Sequence, residues 1–124
     1  MLAKVSELRI KLYVSDFVER RDFYGEVVGW PIITEWDRGP RKRGVMFDTG
    51  SGILELLHNQ HAEPHTTSCD VSLNVPDVWR LWQELKDNVT VVFALRDNTW
   101  GDSSFCIADP GGFRLTFFSV TSDT

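Results

Sequence analysis

The chain has 124 residues, 42% of them hydrophobic and 25% charged, with a formal net charge of −5. That length and balance fit one globular domain, residues 1–124, with a core of its own. The acidic charge argues against nucleic acid, which rewards a basic face, and no apolar run is long enough to cross a membrane, so neither is expected as a partner.

The N-terminal MLAKVSELRIKLYV lacks the long apolar stretch and small-residue cleavage site of a secretory signal, which predicts a cytoplasmic protein. In that compartment Cys69 and Cys106 are expected as free thiols. Alternation of Leu8, Ile10, Leu12 and Val14 predicts a first strand. Asp16 follows as a helix N-cap, with Glu19 placed to complete a capping box. Phe17, Arg20, Tyr24 and Val27 share one helical face, and Gly29 ends the helix. Strand-like runs then cover 31–36, 43–48 and 52–58. Between the first two lies RGPRKRG (38–44), the one basic cluster, expected as a solvated turn. Its sharper alternative is a lip that greets an anionic ligand.

His58, His61 and His65 follow in LLHNQHAEPH. Their spacing suits zinc on a helix, but Pro64 and the preceding strand predict a solvated linker instead. Val71, Leu73 and Val75 predict a second strand of the first type, and Asp77 a second N-cap. Val78, Leu81, Trp82 and Leu85 share a helical face that ends near Asn88, and strands are predicted over 90–95, 103–108 and 113–120. The turns DTGSG and DPGG join the last two strands of each half.

The two halves repeat at an offset of 61 residues. RIKLYVSDF (9–17) lies over DVSLNVPDV (70–78), and FDTGSGILEL (47–56) over ADPGGFRLTF (108–117). The expected fold class is therefore α+β, with two tandem βαβββ modules at about 5–60 and 68–121. Strand parity packs Ile10, Leu12, Val14, Leu54, Leu56, Val71, Leu73, Val75, Leu115 and Phe117 beneath the helices. The other face then carries Arg9, Lys11, Tyr13, Glu55, Asp70, Ser72, Asn74, Thr116 and Phe118. A sheet curved around that face would line a cleft with groups able to hydrogen-bond. His58 shares the parity of Leu54 and Leu56, opposite Glu55.

LRIKLYVSDFVERRDFYGEVVGWPI resembles the opening of the vicinal oxygen chelate superfamily, which includes glyoxalase I, bleomycin-resistance and fosfomycin-resistance proteins and extradiol dioxygenases. TWGDSSFCIADPGGFRLTFF resembles the closing stretch of that family. The resemblance implies paired modules in a curved mixed sheet around a cleft, and a homodimer with modules packed across its interface. It also implies four metal-ligand positions, typically His or Gln, Glu, His and Glu, which fall here at Arg9, Glu55, Asp70 and Thr116. Only Glu55 keeps the pattern. Arg has no lone pair to give a metal and Thr is a weak ligand, so no metal or other cofactor is expected, a divalent ion being the alternative. Arg9 is expected instead to pair with Glu55 or Asp70.

Among the tryptophans, Trp82 is expected in the core, Trp79 at an edge or dimer interface, and Trp30 in packing after helix 1. Trp36 and Trp100 either stack on a flat ligand, as the resemblance to bleomycin-type binders implies, or merely cover the open end of the sheet. Phe47 completes the expected cleft. The resulting functional reading is a non-catalytic protein that sequesters an aromatic or cationic small molecule, such as an antibiotic, in a dimer cleft. Its alternatives are a metal-dependent lyase, isomerase or dioxygenase with an atypical ligand set around Glu55, and a cofactor-free enzyme of the same fold that uses Asp70 or Glu55 as base.

Overall fold

The alternation at the start of each repeat becomes a strand, β1 (Arg9–Val14) and β5 (Asp70–Asn74). The computed structural model describes residues 2–39, 42–63 and 69–121. After β1 come α1 (Phe17–Asp22), a π-helical segment (Phe23–Val28), β2 (Ile32–Asp37), β3 (Arg43–Asp48) and β4 (Ile53–His58). After β5 come α2 (Val78–Leu85), β6 (Thr90–Asp97), β7 (Asp102–Ala108) and β8 (Arg114–Val120). The order is βαβββ twice, as the repeat predicts.

The chain divides into two units, Met1–Pro64 and His65–Thr124, one for each repeat. Each holds a four-stranded mixed sheet, ordered β1-β4-β3-β2 in the first and β5-β8-β7-β6 in the second. The first and last strands of each module run parallel and the other pairs antiparallel. A parallel pair needs a long crossover, and the helix with its following hairpin supplies it.

Each core lies between helix and sheet. In the first module Leu12, Val14, Phe17, Tyr24, Val45, Leu54 and Leu56 are buried; in the second, Val78, Leu85, Phe105, Ile107, Leu115 and Phe117. Trp82, expected in the core, is half-buried and packs against the buried Phe105 at 5.1 Å between ring centroids. Leu8 is exposed and lies before β1 instead of sharing its inward face. Its carbonyl accepts the Ile53 N–H at 3.0 Å, and a Cβ on Gly52 would stand 2.5 Å from that oxygen. Only glycine permits so close a backbone approach.

The two helices begin differently. Asp77 caps α2, its carboxylate accepting the Arg80 N–H at 3.0 Å. Asp16 makes no such bond, so the expected capping box is absent. Its carboxylate instead takes the guanidinium of Arg20, with Nη2 at 3.0 Å and Nε at 3.4 Å. Arg20 shares the buried face with Phe17, and a buried cation draws a carboxylate to itself. The first helix also widens at Phe23 into a π turn, closed by the Gly29 N–H on the Tyr24 carbonyl at 3.1 Å. The wider turn buries two successive aromatic residues, Phe23 and Tyr24, and Trp30 stacks on Tyr24 at 5.6 Å.

The hairpins differ by one residue. In the first, the Thr49 N–H reaches the Gly52 carbonyl at 3.0 Å, leaving Gly50 and Ser51 as the loop. In the second, the Asp109 N–H reaches the Phe113 carbonyl at 2.8 Å, leaving Pro110, Gly111 and Gly112. Loop length sets hairpin register. Val45 therefore faces Leu56, whereas the residue facing Phe117 is Phe105, one short of the 61-residue offset. The single offset expected across both ends of the repeat holds for β1 and β4 but not for β3.

Candidate functional site

Two rows of side chains cross the first sheet on the face turned from α1. Thr34, Met46, Glu55 and Lys11 form one row; Trp36, Gly44, Leu57 and Tyr13 form the next. The ladder thus brings Lys11, Tyr13, Trp36 and Glu55 to one face. Phe47 does not join them. It lies across from Leu54 on the helix side, fully buried, 6.1 Å from the Tyr24 ring. Strand parity ties Phe47 to Val45, so the expected cleft position is corrected to the core.

Trp36 is seated by a missing side chain. A Cβ on Gly44 would stand 2.3 Å from the indole Cζ2 and 2.7 Å from Cε2. The ring therefore lies on the β3 backbone, where an aromatic residue covers what glycine leaves bare.

Beyond that row, at the end of the same sheet, opens a cavity of about 630 Å³. Tyr13, Trp36 and Leu57 contribute from the open face. Arg38, Lys42 and Arg43 contribute from the basic turn and the start of β3, and His58 to His61 from the end of β4 and beyond. The turn is hydrogen-bonded, the Arg38 N–H on the Lys42 carbonyl and the Lys42 N–H on the Gly39 carbonyl, each at 3.0 Å. Pro40 and Arg41 of the basic turn, and Pro64 and His65 of the linker, lie outside the described residues.

Arg43 is held from beneath. Its guanidinium lies over the Phe17 ring at 4.6 Å, and its Nε is buried without a hydrogen-bond partner among the described residues. The nearest carboxylate oxygen, on Asp37, stands 3.8 Å away. His58 packs edge-on against the same Phe17 ring at 6.3 Å and lies across from Val14. Parity separates it from Glu55, as expected. Its place, and that of His61, on a cavity wall was missed by reading both as linker; the signal available was the basic run two strands earlier.

Glu55 is buried, yet among the described residues no hydrogen bond or ion pair reaches its carboxylate. Lys11 lies across from it on β1. Arg9 is bound elsewhere: its Nε donates to Glu7 at 2.5 Å, so the expected bond to Glu55 is not made. The Glu7 hydrogen bond raises the guanidinium pKa above its ordinary value, with Glu55 adding a weaker pull in the same direction. The cause is register. The parallel ladder sets Ile53, not Glu55, across from Arg9.

In the second sheet, Ser72, Thr116 and Cys106 form one row, and Asn74, Phe118 and Ser104 the next. Asp70 and Ser72 are exposed; Thr116 and Phe118 are half-buried. Arg96 lies across from Ser104, where the first sheet has Trp36 across from Gly44, and its guanidinium covers the Phe93 ring at 4.0 Å. Trp100 stands in the turn before β7, 72% exposed. Cys106 is buried, Cys69 is exposed, and both are free thiols.

Among the described residues, no three His, Cys, Asp or Glu side chains gather as a metal-binding group. The donor chemistry at Glu55 agrees: one carboxylate beside the cationic Lys11 and Arg9 does not fit a divalent ion. Among the same residues no helix is long and apolar enough to cross a membrane.

Solved structures share this fold. TioX from Micromonospora sp. ML1 superposes with a TM-score of 0.76 at 23% identity, over 94% of this chain and 99% of that one. A member of the glyoxalase/bleomycin resistance protein/dioxygenase superfamily from Sphaerobacter thermophilus DSM 20745 superposes at 0.76 and 19% identity, over 94% and 98%. Lactoylglutathione lyase from Agrobacterium tumefaciens superposes at 0.70 and 18% identity, over 94% and 95%. No curated protein matches the chain in sequence. The family model for the Glyoxalase/Bleomycin resistance protein/Dioxygenase superfamily matches residues 8–117. With the paired βαβββ modules already described, that match makes the chain a member of the superfamily.

Proposed function

We propose that this protein binds a planar aromatic small molecule and sequesters it without chemical change, antibiotics being one candidate class. The observation that carries the reading is the aromatic wall of the first-module cavity, where Trp36 lies on β3 in one row with Leu57 and Tyr13. A rigid aromatic surface recognises flat ligands by stacking, worth about 0.5–1.5 kcal/mol beyond burial. The unfitting donor set around Glu55 supports binding over metal-assisted chemistry.

The test is a thermal-shift series with planar aromatic compounds, followed by recovery of the bound compound. A ligand at about a hundredfold its Kd stabilises the fold by roughly 2.7 kcal/mol. The shift disappears in Trp36→Leu, and the recovered compound is unaltered. Stoichiometric divalent metal in the purified protein, lost in Glu55→Gln, would overturn this reading in favour of a metal-dependent lyase, isomerase or dioxygenase.

We also propose that the working form is a homodimer in the cytoplasm. Ile32 and Ile33 on β2, and Val91 and Val92 on β6, are exposed on the outermost strands of their sheets. Unpaired apolar edges invite a partner. A monomer by sedimentation at micromolar concentration would contradict the dimer.

A further inference from the structure

The ligand's charge can be read from the same cavity, an inference that rests on the binding function proposed above. Arg38, Lys42 and Arg43 line it, and among the described residues no carboxylate does. The hydrogen-bonded turn keeps Arg38 and Lys42 together at one end. Arg43 is fixed on the Phe17 ring, with a buried Nε donor that no described residue satisfies. Asp37, at 3.8 Å, is too far to satisfy that donor, and it offsets only one of the three cations.

The chain as a whole is acidic, at −5. That net charge favours a cationic ligand at long range. Charges beyond a Debye length of about 10 Å are largely screened, however, so the groups lining the cavity decide what it holds. Their sign is opposite to that of the protein. On the other side, Trp36 and Tyr13 offer ring faces. A buried, unpaired N–H calls for an acceptor, and a guanidinium binds an anionic oxygen better than a neutral one.

We infer that the first-module cavity selects a planar aromatic acid, its ring against Trp36 and its anionic group toward Arg38, Lys42 and Arg43. Arg38, Lys42 and Arg43 are then the ligand's anion site and not merely solvated charges.

Three probes that share one ring system test this by calorimetry on the full chain: naphthoate, naphthamide and naphthylmethylammonium. Naphthoate is expected to bind more tightly than naphthamide by about tenfold or more, equivalent to about 1.4 kcal/mol, with the ammonium weakest. In the double variant Arg38→Gln, Lys42→Gln, which keeps Arg43, that preference falls several-fold, and naphthoate loses more affinity than naphthamide. Both replaced side chains are exposed, so the fold is retained. Trp36→Leu weakens naphthoate and naphthamide alike. Equal binding of naphthoate and naphthamide to the unaltered chain, or a preference undiminished in the double variant, would overturn the anion assignment and leave the binding function standing. Failure of all three probes to bind would overturn both.

Discussion

The two modules share one plan and differ where it matters. Both run βαβββ with the same strand order. The first puts an aromatic ring on a glycine beside a basic turn; the second puts Arg96 and Ser104 in those places. The first begins its helix with an Asp16–Arg20 ion pair, the second with an Asp77 cap. The first closes its hairpin on a two-residue loop, the second on three. Duplication conserves what the sheet needs, namely apolar residues at alternate positions. Everything on the opposite face is free to diverge, because the sheet folds without it.

The largest effect expected of this comparison concerns the hairpin aspartates. Asp109 is buried and accepts the N–H groups of Gly111 at 2.9 Å and Phe113 at 2.8 Å. Asp48 is exposed and accepts from Gly50 at 2.7 Å. Asp109→Ala should cost about 3 kcal/mol and Asp48→Ala about 1 kcal/mol or less, measured by urea denaturation. Equal losses would mean that the extra loop residue does not draw its aspartate inward.

Next come the helix starts. Asp16→Ala leaves the buried Arg20 short of a carboxylate and should cost about 2 kcal/mol. Asp77→Ala removes one cap and should cost about 1 kcal/mol, nearly all of it recovered by Asp77→Ser. Adding Arg20→Met to Asp16→Ala should restore part of the lost stability. If it restores none, the ion pair is not what distinguishes the first helix.

Smaller again is Gly44→Ala, which forces Trp36 from its seat at about 1–2 kcal/mol and changes tryptophan fluorescence. Ser104→Ala at the corresponding place loses a bond from Asn98, about 1 kcal/mol, and should leave the fluorescence as it was. The smallest effect is at Arg9. Arg9→Gln should leave the melting temperature nearly unchanged, and a double-mutant cycle with Glu55→Gln should show weaker coupling than one with Glu7→Gln. Coupling to Glu55 as strong as that to Glu7 would restore the bond that the register denies.

Much of the fold was legible because its signals are local. Alternation marked β1 and β5, Asp77 marked a cap, and Asp-x-Gly marked two hairpins. The candidate site was legible in part. Parity put Lys11, Tyr13 and Glu55 on one face and His58 on the other, and the resemblance supplied Trp36, but Phe47 was misplaced, although its own strand parity with Val45 argued for the core. The Arg9–Glu55 pair failed because parity names a face and not a partner. Arg9 and Glu55 share a face, yet Lys11 is the residue across from Glu55.

The sequence by itself determined the repeat, the family and the two faces of each sheet, since side-chain direction along a strand follows from its period of two. Only the tertiary structure decided that Trp36 rests on Gly44, that Arg43 rests on Phe17, and that the basic turn and His58 close on one cavity. Those contacts join residues from separate strands. Hairpin loop length and ladder register, set across the chain and not along it, determine which of them meet.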